Sequence, residues 1–205
     1  MRCQWVNVWQ IIFHELSGIN VIYIYSNVLL NRILLPGSAF TPRTGTYIIA
    51  IANVGSFIVA TWTVKTFGRK PLLLWGHLGI AVAHAMIGAF ILTGFDMGIL
   101  FMICVFIFIY ANTTGTIAWV YSAETCTDIG LGVCLLTLWA VVLFEVLTVP
   151  MLMNTGIETS GVFFVFAIFG IIATVFIKVF LKETRGLTDN EKRNLYVPQN
   201  ALRND

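Results

Sequence analysis

Apolar residues run along this chain in long stretches, and most polar residues gather between them. Six stretches of about 20 residues or more stand out: roughly 5–30, 45–64, 72–93, 98–121, 131–153 and 161–181. Each is as long as a helix needs to be to cross a bilayer core of about 30 Å. The strict alternation of a transmembrane β-barrel is not seen. The pattern therefore predicts an all-α membrane protein, a six-transmembrane-helix bundle. The connections NRILLPGSAFTPRTG, KTFGRKP, TGFDMG and NTGIETSG are short and rich in turn-forming or basic residues. From Lys182 the chain turns polar, which divides it into a bundle, 1–181, and a tail, 182–205.

Composition agrees. Of the residues 58% are hydrophobic and 11% charged, against about 25% charged in an ordinary soluble domain. A net charge of +2 is too small to point to nucleic acid. Cys3, Cys104, Cys126 and Cys134 have no metal-ligand spacing and read as packing residues. Neither a metal nor any other cofactor is expected, and no cleavable signal peptide is evident. With the amino terminus inside, Arg2, Lys65, Arg69, Lys70, Lys182, Arg185, Lys192, Arg193 and Arg203 all fall on that side. Only Arg32 and Arg43 fall outside, while Lys178 can snorkel inward. This bias predicts a multi-pass protein with both termini on the cytoplasmic or matrix-equivalent side.

Polar residues inside the apolar stretches carry the candidate chemistry. His14, Glu15, Asn20, Asn53, His84 and Glu145 all fall at membrane depth. Ionised groups there cost several kcal/mol unless they meet a partner or a wet cavity. Gly18 and Gly55 lie close by and suit either helix packing or an unwound binding segment. His84 and Glu145 are too loose a pair to argue an active site from, and no catalytic motif is present, so an enzyme is not expected.

Four short motifs, in order, resemble the carboxy-terminal half of sugar porters (hexose transporters) of the major facilitator superfamily. LSGIN with YIYS, at 16–20 and 23–26, resembles that half's first helix. GRKPLLLWG, 68–76, resembles the turn between its second and third. GTIAWVYSAE, 115–124, resembles the close of its fourth, and KETRGLTDNE, 182–191, the signature after its last. The resemblance implies one six-helix half of a twelve-helix transporter, with a sugar site near the bilayer midplane. It places His14, Glu15, Asn20, Asn53 and Trp119 at sugar-site positions. Lys65, Arg69, Glu124, Glu183 and Arg185 form an inside-face charge cluster, in which Lys65, Arg69 and Glu124 stand at positions of the family's inside charge latch.

The motifs are degenerate. His14 and Glu15 stand where two glutamines are usual, and Thr114, Thr116 and Ala118 stand where prolines are usual. Ala111 replaces a carboxylate, Lys65 an acid and Leu131 an arginine. Loss of the prolines predicts a stiffer fourth helix. Glu183 is expected to pair with Arg69. Adjacent helical residues point about 100° apart, so His14 and Glu15 cannot share a site unless the helix unwinds. Two readings follow: a water-filled site for a proton or another polar ligand, or a relic.

One half exposes Glu15, Asn20 and Asn53 on a cavity face that lipid covers poorly. Besides membrane lipid, an obligate protein partner is therefore expected, either other membrane subunits or a second half. The first expectation for function is a non-transporting accessory subunit of a larger membrane complex, such as an organellar bioenergetic assembly. The alternative is a hexose or hexose/proton transporter half, acting as a homodimer or with a separate amino-terminal half. The mitochondrial inner membrane and the plasma membrane are the candidate locations.

Overall fold

The computed structural model describes residues 2–34 and 41–197, without the side chain of Arg2. The expected turn residues Pro36 and Gly37, and Arg203 in the tail, lie outside the described residues. Nine helices occur among those described: α1 Arg2–Glu15, α2 Ile19–Ile33, α3 Pro42–Thr66, α4 Arg69–Thr93, α5 Asp96–Asn112, α6 Thr114–Thr125, α7 Asp128–Met153, α8 Glu158–Phe180 and α9 Asp189–Arg193. Five stretches are long and apolar enough to cross a membrane: α3, α4, α5 with α6, α7 and α8. The first expected span differs. It is split into α1 and α2, neither of which is membrane-length alone.

Local sequence sets the helix starts. Thr41 accepts from the Thr44 N–H ahead of Pro42, whose ring suits the first helical turn. Thr127 caps α7, and Thr188 with Glu191 forms a capping box on α9. α4 lies at the centre of the bundle, packed chiefly against α8 and α5. A methyl group at Gly170 would stand 2.9 Å from Ala81 Cβ, so the glycine lets α8 approach α4 closely. Ile22, Leu30, Ile80, Ile87, Ile103 and Phe106 fill the core between these helices. α3 and α7 bury little of themselves and turn Ile51, Ile58 and Trp62, and Leu136, Trp139 and Leu143, outward. Such large apolar faces suit lipid or an apolar partner.

Two spans are discontinuous. Between α1 and α2, Leu16–Ser17–Gly18 leave the helical path, and Gly18 adopts φ 78°. His84 Nε2 donates to the freed Ser17 carbonyl at 2.8 Å. Its ring sits among Phe106, Phe163 and Phe166. Between α5 and α6 the break falls at Thr113, at φ −127° and ψ −91°. The stiffened fourth helix expected from the lost prolines is thus not found. Threonine hydroxyls offer the backbone another partner. The Thr113 hydroxyl donates to the Ile109 carbonyl at 2.5 Å, and that of Thr116 to the Ala111 carbonyl at 2.9 Å. Gly76 of α4 leaves the room that Thr113 occupies.

The tail ties the bundle together at one end. Glu183 accepts from the backbone N–H of Arg69 at 2.9 Å and of Lys70 at 3.1 Å, the first two residues of α4. It also accepts from the N–H of Thr184 and Arg185. The expected side-chain pair between Glu183 and Arg69 is therefore corrected. A carboxylate at a helix amino terminus meets unpaired N–H groups and the positive end of the helix dipole. The Arg69 guanidinium turns instead to Glu124, at 3.0 Å. Lys192 and the Thr184 hydroxyl reach the same carboxylate, at 3.4 and 2.6 Å. Arg185 donates to the Thr66 carbonyl at the end of α3. Lys65 is exposed and forms no ion pair among the described residues.

Two stability predictions follow from these ties. Gly18→Ala puts a side chain at positive φ, with its Cβ 3.0 Å from the Phe166 ring. The left-handed backbone alone costs about 1–2 kcal/mol, so the thermal midpoint in detergent should fall; an unchanged midpoint would show that the turn adapts freely. Glu183→Ala removes the cap of α4, at a cost of about 1–2 kcal/mol. Amide exchange at residues 69–72 should then quicken more than exchange at the centre of α4, and equal protection in both variants would contradict the capping role.

Candidate polar site at the helix break

The break between α1 and α2 determines what surrounds it. α1 ends at Glu15, so the spacing argument that kept His14 and Glu15 apart does not hold in the folded chain. His14 Nε2 lies 3.2 Å from Glu15 Oε1, and both side chains are buried. Asn20, in the first turn of α2, folds back and donates from Nδ2 to Glu15 Oε2 at 2.5 Å. The three residues thus form one cluster across the break. Glu15, expected on an open face, is only 3% exposed.

Neighbouring helices complete it. Tyr110 of α5 lies with its hydroxyl 3.2 Å from His14 Nε2, and the two rings stack with centroids 5.5 Å apart. Trp119 of α6 meets the His14 ring edge-on at 6.4 Å. Half-buried Asn53 of α3 accepts from the Tyr23 hydroxyl of α2 at 2.7 Å. On the opposite side, the Tyr25 hydroxyl donates to the Val146 carbonyl at 2.9 Å, tying α2 to α7. That tie brings Glu145 to the break. Its side chain is 2% exposed and lies near Glu15 and the Asn20 amide, with neither of which it makes a well-formed hydrogen bond.

Of the residues singled out in the sequence, His14, Glu15, Asn20, Trp119 and Glu145 meet at this place. Asn53 joins through Tyr23. His84 does not: it is spent on the Ser17 carbonyl, and no hydrogen bond or ion pair joins it to Glu145. Arg69, Glu124, Glu183 and Arg185 belong to the tail contacts, and Lys65 to neither group. Sequence reasoning missed Gln10, Tyr110 and Tyr23. Gln10 is fully buried with both amide atoms unpartnered. It precedes His14 by four residues, so it lies on the same helix face, and that spacing was the available signal.

The cluster supplies carboxyl groups that accept hydrogen bonds and amides that both donate and accept. Tyr110 and Trp119 add flat aromatic surface. Such a set can bind a small polar molecule and orient it.

Comparison with known proteins adds the family. Residues 6–196 match the family model described as "Sugar (and other) transporter". The D-xylose-proton symporter of Escherichia coli (strain K12) is 26% identical over 204 residues, covering 95% of this chain and 41% of that protein. The major myo-inositol transporter IolT of Bacillus subtilis (strain 168) is 27% identical over 189 residues, covering 86% and 39%. The high glucose sensor RGT2 of Saccharomyces cerevisiae is 28% identical, covering 90% and 25%. The chain thus spans well under half the length of these relatives. Among solved structures, the inward open conformation of the xylose transporter XylE from E. coli superposes with a TM-score of 0.82 at 25% identity, covering 94% of this chain and 42% of that one. Helices α1 to α8 are therefore the bundle of an integral membrane protein, and the chain belongs to the sugar (and other) transporter family of the major facilitator superfamily.

Proposed function

We propose that this chain is the ligand-recognising half of a sugar-porter-type transporter, and that the cluster at the α1–α2 break takes a polyhydroxylated ligand. One observation carries the reading. His14, Glu15 and Asn20 converge across a helix break beside Glu145, whose buried carboxyl makes no well-formed hydrogen bond. Buried polar groups are normally satisfied, and exceptions call for an explanation such as a missing ligand or water. A relic site has no reason to keep two helix breaks or to leave buried polar atoms unpaired. The relatives, transporters and a glucose sensor by name, support transport-type recognition over catalysis.

Alternating access needs two bodies rocking about a midplane site. A second six-helix half, on this polypeptide or another, is therefore part of the proposal. It covers the side where Tyr23 and Asn53 stand open. Both termini are placed inside, on the positive-inside bias.

A second reading, the non-transporting accessory subunit, draws on the tail contacts. Glu183 is committed to backbone N–H groups, Lys65 pairs with nothing among the described residues, and Leu131 stands where an arginine is usual. Such contacts tie helices statically and do not make a gate.

The first reading predicts that Asn20→Ala and Asn53→Ala each weaken hexose binding about tenfold, the loss of one or two neutral hydrogen bonds. Calorimetric titration of the chain, purified with whatever co-purifies, measures this; undiminished binding in both variants refutes it. The second reading is tested by native mass in mild detergent. It expects migration with a large assembly of unrelated subunits, and migration at the size of two halves would count against it.

A further inference from the structure

The cluster at the helix break holds more acidic than basic groups. Glu15 of α1 and Glu145 of α7 face it from two helices. Among the groups packed around them, Asn20 and Tyr23 of α2 and Tyr110 of α5 are neutral, and His14 is the one group able to carry positive charge. His84 of α4 points to the Ser17 carbonyl instead. The lysines and arginines lie near the ends of the spans or in the tail, not beside this cluster. His14 is already placed against Glu15. Glu145 lies near the Asn20 amide but makes no well-formed hydrogen bond with either of its buried oxygens.

A buried carboxyl needs donors, best of all a cation with hydrogens to give. The surroundings select which kind. No group of three metal-ligating side chains occurs among the described residues, which argues against a bare metal ion. Asn20, Tyr23 and Asn53 instead offer the mixed donors and acceptors that hydroxyls need. Tyr110 and Trp119 offer aromatic faces, to which an organic ammonium is also attracted. A small molecule with both features, several hydroxyls and one protonated amine, fits every part of the set.

We propose that the site favours an amino sugar or a like amino-polyol, its ammonium lying between Glu15 and Glu145 and its hydroxyls on Asn20, Tyr23 and Asn53. This rests on the reading of the break as a ligand site and adds the class of ligand. Glu15 stands where the resembled family's motif carries a glutamine, so an acid replaces an amide there.

Calorimetry on the full chain, purified in mild detergent with its co-purifying partners, tests it with three probes: glucosamine, N-acetylglucosamine and glucose. Glucosamine should bind at least about tenfold more tightly than the other two, the worth of one charge-assisted hydrogen bond. N-acetylglucosamine keeps the ring and the nitrogen but loses the charge, so it controls for shape. Glu145→Gln should remove the difference between glucosamine and glucose. Should that variant fail to fold, the three-probe comparison on the unaltered chain still decides. Equal affinity for glucosamine and glucose overturns this inference and leaves the proposed function standing. Failure of all three sugars to bind overturns both. Glucose binding that requires sodium ion, and loses that requirement in Glu145→Gln, assigns the acid to an inorganic cation and also overturns the inference.

Discussion

Everything at the centre of this protein depends on one constraint: backbone N–H and C=O groups released by a break in a membrane helix must find other partners. At Leu16–Ser17–Gly18 the regular ladder is interrupted, and the break persists because other parts of the chain answer it. His84 reaches across from α4 to the Ser17 carbonyl. Gly18 takes up the left-handed turn that a side chain would resist. Phenylalanines from α5 and α8 hold the imidazole in place. Once the turn is fixed, Glu15 and Asn20 meet across it, and two residues that a continuous helix would aim apart share one place.

The same economy governs the second break and the inner end. The hydroxyls of Thr113 and of Thr116, the latter at a position where proline is usual, occupy carbonyls beside the break. At the start of α4, Glu183 accepts from N–H groups that no helical carbonyl can reach. Gly68 leaves the room for that carboxylate: a methyl group there would lie 2.5 Å from Glu183 Oε2. In each case a polar side chain from a distant segment does for the backbone what water does in a soluble protein.

Much of this was legible in the sequence. Five of the six expected spans are single membrane-length stretches with closely similar bounds, because hydropathy over about 20 residues reports a bilayer directly. The motif resemblance found the family and brought His14, Glu15, Asn20, Asn53 and Trp119 into view. What stayed hidden depends on contacts between segments far apart in the chain. Glu145 was visible as an intramembrane acid, but its place beside Glu15 depends on the Tyr25–Val146 tie, which joins residues 121 positions apart. Glu183 was visible as a member of the inside-face charge cluster, but its real partners are backbone groups, which no residue pattern marks. The Thr113 break was misjudged because proline is the usual sign of a kink, and a threonine acting on carbonyls leaves a weaker mark.

The tail and the centre of the molecule point to different functions, and their physics explains why both features persist. The tail contacts are many, short and directed at backbone groups, so they add rigidity whether or not the protein moves. The central cluster is the reverse. It keeps polar atoms of Gln10, Ser17, His14 and Glu145 buried without partners, at a cost of about 1–3 kcal/mol for each such group. Stability alone would favour filling those positions with apolar side chains, as replacing buried polar groups by well-packed apolar ones often does. A rigid end is compatible with either an accessory or a transporting role. An unsatisfied centre is costly in the first role and useful in the second, because a ligand can recover that energy on binding. That asymmetry is why the proposed function rests on the centre and not on the tail.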